Sequence, residues 1–213
     1  RLLSPEELEE RYPNAWEYLL ANRKKLQDRE KGKFRDAQWY RFGRTQNLGL
    51  WEQQKIMVPY MTTRLAAYYD RTSSFYFINV TTGGYGILCS KPEASVPYLC
   101  GLLNSRLLDF CLKHLSSHFH GGYFAANKQF IGRLPIRTID FSDPADKARH
   151  DKMVELVQRM LDLHEQLAAA KTEHEKTVLQ RQIAVTDRQI DQLVYELYGL
   201  TEKEISIVEE AMS

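Results

Sequence analysis

Two runs of mostly apolar residues at helical spacing close the chain and limit what it can fold into. Met153, Val157, Met160, His164 and Leu167 step by four and three, as do Leu179, Ile183, Thr186, Ile190, Leu193 and Leu197. With a short polar break between them at residues 171–175, the two helices are expected to cover their seams by pairing as an antiparallel hairpin. Gly199 suits the position after the second helix, and Thr201 with Glu204 is a capping pair for a short last helix. His164 lies in the seam and reads as a packed polar residue rather than a ligand.

The remainder is organised around residues 98–136. Leu99, Leu102, Leu103, Leu107, Phe110 and Cys111 recur at helical spacing, stop at a polar loop, and resume at Phe130, Ile131 and Leu134. That loop, residues 116–129, holds His118, His120, Tyr123, Asn127, Lys128 and Gln129, all able to hydrogen bond, beside Gly121 and Gly122. A loop of this composition at the end of a buried helix is where function is expected.

Upstream, Ser4-Pro5-Glu6-Glu7 is a helix start, and a second helix is expected from Pro13 through Trp16, Leu19, Leu20 and Leu26, with Arg23, Lys24, Lys25 and Arg29 facing water. Residues 39–46 interleave aromatics with arginines and amides, a composition suited to nucleic acid; the competing reading is a core Trp with surface arginines. From residue 55 to 90 the pattern turns to short β-type runs: 56–58, 67–69, 75–80 and 86–89, separated by turn-forming residues. The expected class is therefore α+β: a small, mostly antiparallel sheet with packed helices in a body of residues 1–139, followed by the long antiparallel helical hairpin in residues 140–213.

Composition bounds the rest. Hydrophobic content of 43% over 213 residues is enough for one full core. No run of about 18 apolar residues and no signal peptide occurs, so a cytoplasmic protein without membrane spans is expected. Cys89, Cys100 and Cys111 are odd in number and sit among apolar neighbours, as reduced thiols would. The chain opens at Arg1 and reads as part of something longer. Residues 11–139 hold 19 Lys or Arg against 8 Asp or Glu, whereas residues 140–213 hold 9 against 16. A basic body beside an acidic helical tail suits a polyanion-binding surface, or simply a solubilised one.

Catalytic and metal chemistry find little support. The turn Gly83-Gly84-Tyr85-Gly86 lacks the Lys-Ser/Thr of a phosphate loop, and no nucleophile elbow or dinucleotide fingerprint is present. Cys111, His114, His118 and His120 are zinc-type ligands close in sequence, but Cys111 continues an apolar stripe and no Cys-x-x-Cys pair joins it. No catalytic and no metal-binding residue is therefore expected.

With these residues in view, the chain resembles the TaqI-like C-terminal specificity domain, the target-recognition domain of N6-adenine DNA methyltransferases and type IIG restriction-modification enzymes. The similar features run in order: Tyr12-Pro13 with Trp16 and Arg29, Trp39-Tyr40 with Arg44, Lys55-Ile56 with Pro59, Leu102-Leu103-Asn104-Ser105, Gly122, Phe130-Ile131 to Leu134-Pro135-Ile136, and Ile190-Asp191 through Tyr195, Tyr198-Gly199 and Thr201 to Ile205. The resemblance implies duplex DNA as partner, together with an N-terminal methyltransferase domain of the same chain that binds S-adenosylmethionine and acts on a flipped adenine. The Asn-Pro-Pro-Tyr type motif of that chemistry is absent here, so this piece holds no cofactor and is not expected to methylate alone. A specificity subunit of a multi-subunit restriction system and a helical protein-interaction module are the alternatives.

Base-reading positions differ among members of such a family, so the DNA contacts are chosen by chemistry alone. Arg41 and Arg44 each offer paired donors to guanine, while Gln46 and Gln129 each present a donor and an acceptor to adenine. Lys128 suits phosphate, and His118, His120 and Tyr123 complete the set from the exposed loop.

Overall fold

A computed structural model describes residues 2–43, 47–77, 83–90 and 95–212. The chain divides into two compact units, residues 1–48 and 49–213.

The first unit is helical: α1 (Pro5–Arg11), α2 (Pro13–Ala21), α3 (Arg23–Gln27) and α4 (Arg29–Gly32). The Ser4 hydroxyl accepts from the Glu7 amide at 3.2 Å, and the Glu7 carboxylate accepts from the Ser4 amide at 2.8 Å, the capping box legible in the sequence. The helix expected to continue from Pro13 to Leu26 breaks instead at Asn22. Its side chain donates to the Tyr18 carbonyl at 2.9 Å, and its own backbone leaves the helical region. Trp39 is buried, its ring 5.8 Å from that of Trp16, with Tyr40 edge-on to both. The Arg29 guanidinium lies 4.1 Å from the Phe34 ring centre and donates to the carbonyls of Trp39 and Arg41. Trp39 and Tyr40 are thus spent on this unit's own packing, which favours the core reading of that aromatic stretch.

The second unit is α+β. Strands β1 (Lys55–Pro59), β3 (Tyr68–Asp70) and β4 (Gly84–Ile87) form one antiparallel sheet in the order β3-β1-β4. A second antiparallel sheet, β2-β6-β5, joins β2 (Met61–Thr62), β5 (His118–Phe119) and β6 (Tyr123–Ala125). The helices are α5 (Val96–Asn104), α6 (Arg106–Leu115), α7 (Lys128–Ile131), α8 (Pro144–Ala169), α9 (Glu173–Tyr198) and α10 (Glu202–Ala211). The described residues therefore hold ten helices and two three-stranded sheets rather than the single sheet expected. Of the expected strand at 75–80, residues 75–77 belong to no strand, and 78–80 lie outside the described residues.

One apolar core runs from β1 (Ile56, Val58) through α5 and α6 (Leu102, Leu103, Leu108, Leu112) into the hairpin of α8 and α9 (Met153, Leu156, Val157, Ile190, Val194). The charge boundary at residue 140 falls inside this unit. Gly101 lets α5 meet α8 closely, since a Cβ there would overlap the Met153 sulfur. The seam differs from expectation at one place: Leu163 takes the inward position on α8, and His164 is exposed. Because α8 packs on α5 as well as α9, its buried stripe is wider than a two-helix seam.

The residues of the family resemblance pin irregular segments to this frame. Asn104 accepts from the Ala67 amide at 3.0 Å and donates to the Ala67 carbonyl at 2.8 Å; Asp109, outside that set, accepts from the Leu65 amide at 2.7 Å. Asp191 accepts from the first amide of α6, that of Arg106, at 2.8 Å. The Tyr198 hydroxyl donates to the Pro135 carbonyl and accepts from the Arg137 amide, fixing the strap that leads to α8. Gly199 ends α9 in the left-handed region at φ 65°.

Candidate nucleic-acid interface

The loop expected to carry function folds as a β-hairpin. After α6 the Ser116 hydroxyl donates to the Ala125 carbonyl at 2.7 Å, and the Ala125 amide donates to the Ser117 carbonyl at 3.2 Å, closing the base. Register then sets His118 opposite Phe124 and Phe119 opposite Tyr123. The tip, residues 120–122, turns through Gly121 (φ 78°) and Gly122 (φ 75°), left-handed values that residues with side chains rarely adopt. On the other side β2 holds β6, with Met61 opposite Ala125 and Thr62 opposite Phe124.

The two faces of the hairpin differ. The His118 ring stands edge-on to Phe124 at 4.7 Å, and the Lys113 ammonium lies 5.7 Å from the centre of the same ring. The opposite face carries Phe119, Tyr123 and Met61, all exposed. Beyond β6, Asn127 caps α7 by accepting from the Gln129 amide at 3.0 Å, and buried Phe130 anchors that short helix. Lys128 and Gln129 are thereby held outward on its first turn.

Five of the eight residues singled out, His118, His120, Tyr123, Lys128 and Gln129, thus lie on one exposed hairpin and the helix that follows it. Arg41 belongs to the other unit, where its guanidinium is engaged: it pairs with Asp36 at 2.5 Å, donates to the Gln38 carbonyl at 3.0 Å, and lies 4.6 Å from the Phe34 ring centre. This partner holds the Asp36 carboxyl below the usual carboxylate range. Reading a guanine would require Arg41 to release these bonds. Arg44 and Gln46 lie outside the described residues. Sequence reasoning passed over Phe119 and Arg133. The alternation from His118 to Phe124 was the signal for the first; Arg133 carried none beyond its charge.

Electrostatics revise the picture drawn from composition. Four arginines of the basic stretch are matched to acids of the last helices: Arg64 to Asp187 at 3.4 Å, Arg71 to Asp162 at 3.6 Å and to Glu165, Arg106 to Asp191 at 3.3 Å and to Glu209, and Arg137 to Asp146 at 2.9 Å. Lys55 is buried and paired with Asp70 at 2.6 Å. Burial pushes the Asp70 carboxyl up, but the Lys55 ammonium and the amides of Phe75 and Ser74 outweigh it and leave it lowered. Among the described residues, Lys128 and Arg133 have no such acidic partner. The acidic tail is therefore a counter-surface for the body rather than only a solvated face, and positive charge is left uncompensated beside the hairpin.

Among the described residues no three His, Cys, Asp or Glu side chains converge on one point. Cys111 packs against the core, and its thiol is pushed up by burial, while His114 stacks on Phe110. A cleft of about 590 Å³ opens between residues 64–69, α5 and the hairpin helices, with Leu65, Tyr69, Met160 and Ile183 on its wall. None of the six described candidate residues lines it. Among the described residues no helix is long and apolar enough to cross a membrane.

The fold is thus a small antiparallel scaffold that presents an exposed hairpin, backed by long helices. The chain belongs to the TaqI-like C-terminal specificity domain family, whose model matches residues 7–136. It is also similar to the type II restriction enzyme and methyltransferase RM.Eco57I of Escherichia coli, with 28% identity over 214 residues, covering 96% of this chain and 21% of that protein. The chain thus spans about a fifth of the length of the curated relative it matches. The helical hairpin lies outside the family match but inside this longer similarity.

Proposed function

We propose that this chain recognises a duplex DNA sequence on behalf of a cytoplasmic restriction-modification protein. In that protein a methyltransferase domain N-terminal to it would bind S-adenosylmethionine and methylate adenine N6. The supporting observation is the exposed segment from His118 to Arg133, where hydrogen-bonding side chains stand beside cations that no acid of the described chain neutralises. Family membership and the similarity to a restriction enzyme and methyltransferase point the same way.

Phosphate and base contacts separate by experiment. Selection from a randomised duplex pool followed by titration should show one preferred sequence. Gln129→Ala is expected to cost roughly 1–3 kcal/mol and to relax preference at one base pair, because an amide reads adenine through two bonds. Lys128→Ala is expected to weaken binding to all sequences alike. If no duplex is bound even at low salt, the DNA assignment fails and the helical surface becomes the working face of a protein-interaction module.

A further inference from the structure

Phe119 and Tyr123 are 44% and 43% exposed, directly opposite one another at the end of a two-stranded ribbon. Their hydrophobic surface helps no core: they share a face with Met61, itself 42% exposed. The ribbon is thin at its end. A side chain at Gly122 would meet nothing within 4 Å, and one at Gly121 would begin 3.6 Å from the Tyr123 ring. The base, in contrast, is held by the Ser116 and Ser117 bonds, by β2, and by the His118–Phe124 contact.

We propose that Phe119, with Tyr123 beside it, is an aromatic wedge that enters a DNA groove and stacks on the bases of a step that it opens. This rests on the DNA-binding reading above and adds a mode of contact to it. Rings on a narrow, firmly based ribbon whose tip carries one side chain, that of His120, can reach into a groove that an α-helix cannot fill, and apolar wedges of this kind unstack and kink base steps. Charge argues for nucleic acid over protein as the occupant. Lys128 and Arg133, without acidic partners among the described residues, follow the same strand, and His118 occupies the other face. Three apolar side chains are also a small patch beside the 20–30 residues a side of a typical stable protein interface.

The test uses the whole chain and the duplex it selects most tightly from a randomised pool, with 2-aminopurine placed at successive purine positions. A wedge should raise emission several-fold at one or two neighbouring positions when the chain binds. Phe119→Ala should abolish that rise and weaken binding roughly tenfold, in line with the worth of a base–aromatic stack, with the melting transition unchanged. Phe119→Leu, an apolar wedge without a ring, should keep an emission rise but lose affinity that stacking supplies, whereas Tyr123→Phe should keep both. Duplex binding with flat emission at every position, or wild-type affinity in Phe119→Ala, overturns the wedge and leaves the DNA assignment standing. Absence of duplex binding at any salt overturns both. A chain that dimerises without DNA, and becomes monomeric on Phe119→Ala, gives this face to a second copy and overturns the wedge.

Discussion

Asn104 shows how a residue that looks functional in a motif can be structural. Its amide is satisfied in both directions by the backbone of Ala67, with the Cys100 carbonyl as a further acceptor at 2.9 Å. Asn104→Ala leaves the half-buried Ala67 amide without a partner and its carbonyl with only the weak Cys100 thiol donor, and a loss of about 1–3 kcal/mol is expected in urea unfolding, with base preference unchanged. A variant of wild-type stability would remove the clamp from this account. Asp191 gives a prediction in pH. Burial pushes its carboxyl up from 3.8 to about 6, against the pull of the Arg106 amide and guanidinium; Asp187 adds to the rise and Arg64 opposes it. The folded chain therefore holds this proton more tightly than the unfolded chain, so the group favours folding most below the unfolded value. That contribution fades as pH rises through about 6. Asp191→Asn keeps an acceptor oxygen for the Arg106 amide and should flatten the stability slope across that window. Denaturant melts of both proteins at stepped pH check it, and identical slopes would count against it.

At the scale of elements, the hairpin of α8 and α9 serves as a wall of the core. Met153, Leu156 and Val157 pack with Leu102 and Leu103, and the arginine pairs to Asp162, Glu165 and Asp187 tie its rim to the body. These exposed pairs are each worth less than about 1 kcal/mol, so the apolar contact carries the attachment. Removing residues 147–213 should leave no cooperative unfolding transition in the rest of the second unit. A truncated parent that melts cooperatively but recognises another sequence would show instead that the hairpin reads DNA. The β5–β6 hairpin is the opposite kind of element: it contributes exposed rings and little core, so substitutions at its tip should change binding without lowering the melting point.

For the whole molecule, charge has to be counted after pairing. Residues 49–213 hold 18 Lys or Arg against 20 Asp or Glu, so the second unit is not basic at all once its hairpin is included. From the basic excess of residues 11–139 alone, about five phosphate contacts and a slope of log K against log salt of about −4 to −5 would be expected. With four arginines matched to acids, the expected slope is shallower, about −2 to −3, and Lys128→Ala should reduce its magnitude by about 1. Titrations across a tenfold range of salt decide between the two values.

The sequence by itself determined the α+β class, the capping boxes at Ser4 and Thr201, the hairpin and its turn, and the family. Each of these depends on residues near one another in the chain, or on a period that local geometry imposes. Tertiary structure decided the rest. The split into two sheets depends on β2 finding β6 across some 60 residues. His164 is turned outward because α5 takes a share of the face of α8 that periodicity assigned to α9 alone. Trp39 is withdrawn from any ligand by Trp16 and Tyr40, and four arginines of the basic stretch are matched by acids up to 123 residues away. A charge or a ring is available to a partner only if the fold leaves it without a neighbour, and neighbours distant in sequence exist only once the chain has folded.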